Sequence, residues 1–185
     1  MIGYWRKRPA HTLKKWLLIH AMMVLTTAAA WGDTMAAPQS HNDGPARQVL
    51  LYFSTADGRL LTAEPFDLPA GIANQHAGRA IVEALAGGPR NPALSPTLPA
   101  GTAVEGFYLA PNNTAVVDLN SVASDNHPGG VMAETLSVFS VVNALVLNLS
   151  GIDQVKLLIN GHETKTFAGH IDLGSPLKAN LLLIK

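Results

Sequence analysis

The chain has 185 residues, no cysteine and a formal net charge of zero, and the missing cysteine excludes disulfides, thiolate metal sites, thiol catalysis and a lipid-modified N-terminal cysteine. Apolar residues make up 48%, enough for one ordinary domain with a proper core, which excludes general disorder. Residues 1–32 hold Arg6, Lys7, Arg8, Lys14 and Lys15 and no acid, so the rest carries a net charge of about −5 and no basic patch, which argues against a nucleic-acid partner.

The basic start runs into an apolar stretch, Trp16 to Ala30, broken by His20, Thr26 and Thr27. That is the length of a signal-peptide core and short for a membrane-spanning helix. Small residues at 28–30 and 34–37 suit cleavage, so residues 1–37 read as an export signal, or as an N-terminal anchor if uncleaved. Residues 38–47, rich in Pro, Asn, Asp and Gly, read as a linker. The domain proper is expected over 48–178, with 179–185 as a tail.

Val49-Leu50-Leu51-Tyr52-Phe53 has the continuous apolar character of a buried strand. The turn Ala56-Asp57-Gly58 predicts a return strand over Arg59–Glu64, with Pro65 and Pro69 bracketing an irregular end to the hairpin. A helix is predicted over Ile72–Ala86, its stripe Ala77, Ile81, Val82 and Leu85, stopped by Gly87-Gly88-Pro89. Prolines at 92, 96 and 99 make 90–101 a loop.

Thr102–Ala110 and Thr114–Leu119 predict an antiparallel pair around Pro111-Asn112-Asn113, with Phe107 and Leu109 on one face and Tyr108 on the other. After a loop over 124–130, a longer helix is predicted over Val131–Leu149, with Met132, Leu136, Phe139, Val142, Val146 and Leu149 as its stripe. Gln154–Ile159, the turn Asn160-Gly161 and Thr164–Phe167 then read as a hairpin. The order predicts an α+β fold: a βαββαβ core with an added hairpin, two helices covering one face of a single mixed sheet.

Candidate chemistry falls in two clusters. Asp118, Asp125 and His127 surround one loop and have the donor types for a divalent cation or an acid–base pair, although Asp125-Asn126-His127-Pro128 is also ordinary turn and cap material. His162, Glu163, His170 and Asp172 form the second. In extended chain His170 and Asp172 share a face, an arrangement that orients an imidazole or ligates zinc, or else simply fixes the C-terminal segment. No phosphate loop, dinucleotide fingerprint or serine elbow is present, so no cofactor is expected. Asn112-Asn113-Thr114 and Asn148-Leu149-Ser150 fit the glycosylation pattern, and both positions are explained by a turn and a helix end.

Several short pieces in order resemble one family: Leu51-Tyr52-Phe53, Glu83-Ala84-Leu85 leading to Gly88-Pro89, and Leu98-Pro99-Ala100-Gly101-Thr102. They continue with Ala115-Val116-Val117-Asp118-Leu119, Val142-Asn143-Ala144-Leu145, Val155–Ile159 with Asn160-Gly161, and His170-Ile171-Asp172-Leu173 with Pro176-Leu177. The set resembles the GerMN domain of sporulation and spore-germination proteins over residues 49–177. That resemblance implies a compact α+β domain similar to ring-building modules, in an exported envelope protein that localises or assembles partners without catalysis. It marks Gly101, Thr102, Asp118, His170 and Asp172 as signature positions. The lipidated cysteine and the tandem copies found in many relatives are missing here.

The leading expectation is therefore a non-enzymatic module of the periplasm or envelope that binds envelope proteins or itself, with the opening hairpin as a candidate edge. Membrane contact is expected only through an uncleaved leader. Cell-wall glycan or a small ligand, stacked on Tyr52, Tyr108 or Trp31, is the alternative. A hydrolase or metal enzyme built from Asp118, His127, His170 and Asp172 is the third reading, and it requires those groups to converge.

Overall fold

A computed structural model describes residues 46–185. The expected leader, most of the linker and Trp31 lie outside the described residues. The order is β1 (Arg47–Thr55), β2 (Leu61–Leu68), α1 (Asn74–Ala86), β3 (Leu94–Ser95), β4 (Val104–Ala110) and β5 (Thr114–Leu119). A four-residue helix α2 (Val122–Asp125), the long α3 (Val131–Asn148), β6 (Gln154–Ile159) and a 3-10 turn (Leu181–Leu183) complete it. The fold is α+β, and β1-α1-β4-β5-α3-β6 gives the expected βαββαβ order.

The strands form two three-stranded sheets, ordered β2-β1-β3 and β4-β5-β6, where a single mixed sheet was expected. Two flanks along which they could join, beside β1 and beside β6, are already occupied. Asn148, at the end of α3, accepts from Leu50 N at 2.9 Å and donates to Leu50 O at 2.7 Å, acting as a one-residue strand beside β1. On β6, Leu177 takes both backbone groups of Val155 at 2.8 Å. The helices unite the sheets instead: α1 packs on β1 and β4, α3 packs on β1 and β6, and the two helices pack on each other. One continuous apolar core results, from Val49 and Phe53 of β1 through Ile81, Val117 and Leu145 to Leu157.

Helix α1 buries the predicted stripe Ala77, Ile81, Val82 and Leu85, and Gly88, with φ +82°, stops it. Gly78 is buried there too, because the Phe107 ring of β4 fills the space its side chain would need: an added Cβ would lie 2.1 Å from Phe107 Cζ. Leu109, expected beside Phe107 in the core, is exposed near the end of β4.

β2 runs straight through Pro65 to Leu68, where an irregular stretch was expected. Leu50, the partner of Pro65 in the register, spends its N–H and C=O on Asn148. Pro65 therefore occupies a non-hydrogen-bonded position with its nitrogen toward the outer edge, where no donor is needed. A proline on that edge also blunts the hairpin as a site for strand addition.

Helix α3 is buried nearly all round at its centre, so its contacts exceed the predicted stripe: Val138, Val141 and Leu145 are buried while Met132 is exposed. It is long and apolar enough to cross a membrane by length and composition, yet more than half of it is inside the domain, as befits a core helix. The predicted strand Thr164–Phe167 does not pair as a hairpin with β6; Ile159 bridges only His162, and β6 runs parallel to β5. Residues 179–185, expected as a tail, are fastened to the domain. Buried Asn143 clasps the backbone of Asn180, Ile184 bridges Leu61, and Lys185 N donates to Leu61 O at 2.9 Å.

Candidate functional site

The chemistry-bearing side chains gather around the N-terminal half of α3. Gly129 and Gly130, with φ of +78° and +89°, turn the chain from α2 into α3 and set His127 against the helix. Its Nδ1 accepts from Gly129 N at 3.0 Å, which leaves the proton on Nε2, 2.9 Å from Ser137 Oγ. Ser137 Oγ in turn donates to Thr97 O, with Ala133 O also in reach at 2.9 Å. Burial pushes the His127 imidazole below its ordinary value, opposed by the Glu134 carboxylate and a contact with Ala133, and its ring stands edge-on to Phe167.

A histidine beside a serine suggests a nucleophile and its base. A base must present a lone pair to the hydroxyl, and here the ring presents its N–H. The pair works as a strut joining the loop at 127, α3 and the chain after β3. An open groove of about 370 Å3 lies next to it, lined by Ser54, Pro96, Leu98, Met132 and Leu136 as well as His127 and Ser137.

Glu134 is the only charged residue of α3 and is 0% exposed. Its Oε1 accepts from Ala168 N at 2.7 Å and Ile171 N at 3.0 Å; its Oε2 accepts from His170 N at 2.8 Å and lies 3.0 Å from His170 Nδ1. Burial alone would raise this carboxyl. The amides of Ala168, Ile171 and His170, with the His170 ring, outweigh it and hold the group below its ordinary value. These bonds take up the amides of Ala168, His170 and Ile171, just past the expected strand Thr164–Phe167, of which Thr166 bridges Asp172. Lys156, buried in β6, fixes the next stretch, donating to Leu173 O and Gly174 O at 2.9 Å and to Glu163 Oε2 at 3.2 Å.

The segment His170-Ile171-Asp172-Leu173 is thus fastened through its backbone by two buried charges. His170 and Asp172 do not act as a pair: the imidazole faces Glu134, whereas Asp172 Oδ1 accepts from Gly174 N at 2.8 Å and closes a turn. Asp118 lies at the end of β5 with Oδ1 accepting from Gly161 N at 2.8 Å, and so shapes the Asn160-Gly161 turn. Gly101, at φ +89°, gives its carbonyl to Asn120, and Thr102 Oγ1 donates to Pro99 O at 2.8 Å. His162 and Asp125 are exposed, and Glu163 pairs with Lys156.

Among the described residues, no three His, Asp or Glu side chains group closely enough to hold a metal ion. The convergence of Asp118, His127, His170 and Asp172 that an enzyme would need does not occur, since each is committed to a different local partner. For glycan stacking, Tyr52 is only 5% exposed and offers no surface, while Tyr108 is exposed on β4. Sequence reasoning missed Glu134 and Lys156. The signal for Glu134 was there: a single carboxylate in an otherwise uncharged, apolar helix.

A family model described as Germane, sporulation and spore germination, matches residues 50–165. The chain belongs to that family. Two solved structures from Bacillus subtilis share the fold at 26% identity: the tandem GerMN domains of the sporulation protein GerM (TM-score 0.58) and its first GerMN domain alone (TM-score 0.52). Each match covers 72% of this chain, but 46% of the tandem structure against 96% of the single domain. A provisionally assigned lipoprotein from Clostridium perfringens has the same fold at 19% identity and TM-score 0.53, covering 72% of this chain and 87% of that one. No curated protein matches the chain.

Proposed function

We propose that this Germane-family protein is an exported, non-enzymatic module of the cell envelope that works by binding proteins. The carrying observation is a division of labour among its side chains. His127, Ser137, Glu134 and Asp118 are committed to internal hydrogen bonds, while large apolar side chains stand exposed on ordered elements: Tyr108 and Leu109 on β4, Leu181 and Leu182 on the 3-10 turn. Exposed apolar side chains held on ordered elements are the groups a protein partner would cover. Export is supported by the leader pattern, and the envelope setting by the family and its sporulation and lipoprotein neighbours.

The test is crosslinking of the tagged full chain in cells, followed by capture and mass spectrometry. A discrete set of envelope proteins, or a ladder of the chain with itself, is the expected result. Correctly exported, folded protein without protein adducts overturns the proposal and directs attention to glycan binding at Tyr108.

A further inference from the structure

We propose that His127 is a pH-operated latch: its neutral ring holds the turn Pro128-Gly129-Gly130 closed on the groove beside α3, and its protonated ring releases that turn. The inference goes beyond the protein-binding reading and does not depend on it.

The latch is a pair of hydrogen bonds that need a neutral imidazole. Nδ1 accepts from Gly129 N at 3.0 Å, and Nε2–H donates to Ser137 Oγ, 2.9 Å away. Ser137 donates its own proton to Thr97 O, so it meets the ring as an acceptor. A second proton on the ring goes to Nδ1 and faces the Gly129 N–H, donor against donor. The Ser137 bond survives, because an imidazolium N–H is the stronger donor. The ring therefore stays on α3 while the turn comes away.

Little else holds the turn. Among the described residues, the bond to Nδ1 is the only hydrogen bond made by Pro128 or Gly129. Gly129 and Gly130, at φ +78° and +89°, have open space around them: a Cβ added to either would meet nothing within 4 Å. Pro128 lines the groove of about 370 Å3 together with Leu98, Met132 and Leu136, so release of the turn changes the width of the groove.

The titratable groups on the surrounding elements leave the switch to His127. Glu134 on α3 favours the protonated ring, but its oxygens are filled by Ala168, His170 and Ile171, and it offers Nδ1–H no acceptor. Asp125 on α2 is exposed, and the chain over 94–99 has no titratable side chain. Phe167 stands edge-on to the ring; of its neighbours, Lys165 is exposed and His170 is turned to Glu134. Asp57 and Arg59 flank Gly58 of the groove lining. Burial is the largest influence on His127, so the latch is closed at neutral pH and opens below the ordinary imidazole value of roughly 6.5.

The test is an NMR titration of the labelled full chain from about pH 8 to about pH 5, with amide exchange divided by the intrinsic rate at each pH. A dissolved neutral nitroxide reports access to the methyl groups of Leu136, which is 3% exposed in the closed groove. On acidification the protection of the Gly129 amide should fall about fivefold or more, as the loss of its one hydrogen bond implies. Broadening of Leu136 should rise with the same midpoint, while Val141 at the centre of α3 keeps its protection. In His127→Asn a carboxamide oxygen accepts from Gly129 N as an Asx turn does and never titrates, so neither change should occur. Constant Gly129 protection while the His127 ring titrates in the same spectra overturns the inference. So does a release that Val141 shares, one that persists in His127→Asn, or one that leaves Leu136 shielded. The titration of the native chain decides the matter even where that variant fails to fold.

Discussion

Replacing Glu134 by glutamine keeps the shape of the side chain and removes the charge that fastens residues 168–171. The carboxylate accepts two amides on Oε1 and one amide and one ring nitrogen on Oε2. Glutamine retains one carbonyl oxygen, which still serves Ala168 and Ile171 as a neutral acceptor. Its NH2 then meets the N–H of His170, donor against donor. Hydrogen bonds to a charged acceptor contribute about 1.5–3 kcal/mol each, and a stranded buried donor costs about 1–3 kcal/mol. With one such bond inverted and the rest weakened, Glu134→Gln is expected to destabilise by about 2–3 kcal/mol. Glu134→Ala, which leaves His170 and three amides unmatched around a cavity, is expected to lose about 3–5 kcal/mol. The assay is urea unfolding, read as a lower midpoint at unchanged slope. Limited proteolysis should cut first within 165–174. A Glu134→Gln midpoint within about 0.5 kcal/mol of the parent would falsify the idea that this carboxylate fastens the segment. Because the folded-state carboxyl lies below its ordinary value, its contribution is complete above the unfolded pKa of roughly 4.3 and is lost as pH falls through the lower folded value.

Gly78→Ala should destabilise by about 1–3 kcal/mol in a thermal melt although alanine is the better helix former, because the new Cβ collides with the buried Phe107 ring; an unchanged or higher Tm would show that the ring moves freely. His127 titrates below its ordinary value when folded, so its share of stability is present above roughly pH 6.5 and is lost on acidification below that. His127→Gln should flatten the stability profile on the acid side of about pH 6.5, and an unchanged profile there would rule out this linkage. Asn143→Ala removes both bonds to Asn180 and should cost about 2–3 kcal/mol, with faster hydrogen exchange at Asn180 and Ile184. Leu182→Ser, on the same segment but exposed, should change stability by less than about 0.5 kcal/mol, and equal effects from the two substitutions would contradict this account.

Helix α1, the strand over Thr114–Leu119 and the limits of α3 were legible in the sequence because their signals are local. Ala77, Ile81, Val82 and Leu85 recur at helical spacing, and Gly88-Pro89 ends the helix with residues that cannot continue it. The ordered short motifs also carried the family, since turns such as Gly101-Thr102 and Asn160-Gly161 need particular residues at fixed positions. Tertiary structure decided everything that depends on a polar side chain meeting backbone far along the chain. Asn148 reaches Leu50 across 98 positions, Glu134 reaches 168–171 across 34 to 37, and Asn143 reaches Asn180 across 37. Those bonds put a side chain beside β1 where a neighbouring strand was expected, let a strand pass through Pro65, fixed the chain just past the expected strand at 164–167 and fastened the expected tail. They also made His170 and Asp172 parts of a scaffold instead of a pair. Periodicity reports which face of an element is apolar, whereas the backbone groups that a buried carboxylate or amide will satisfy are set only when distant segments pack against it.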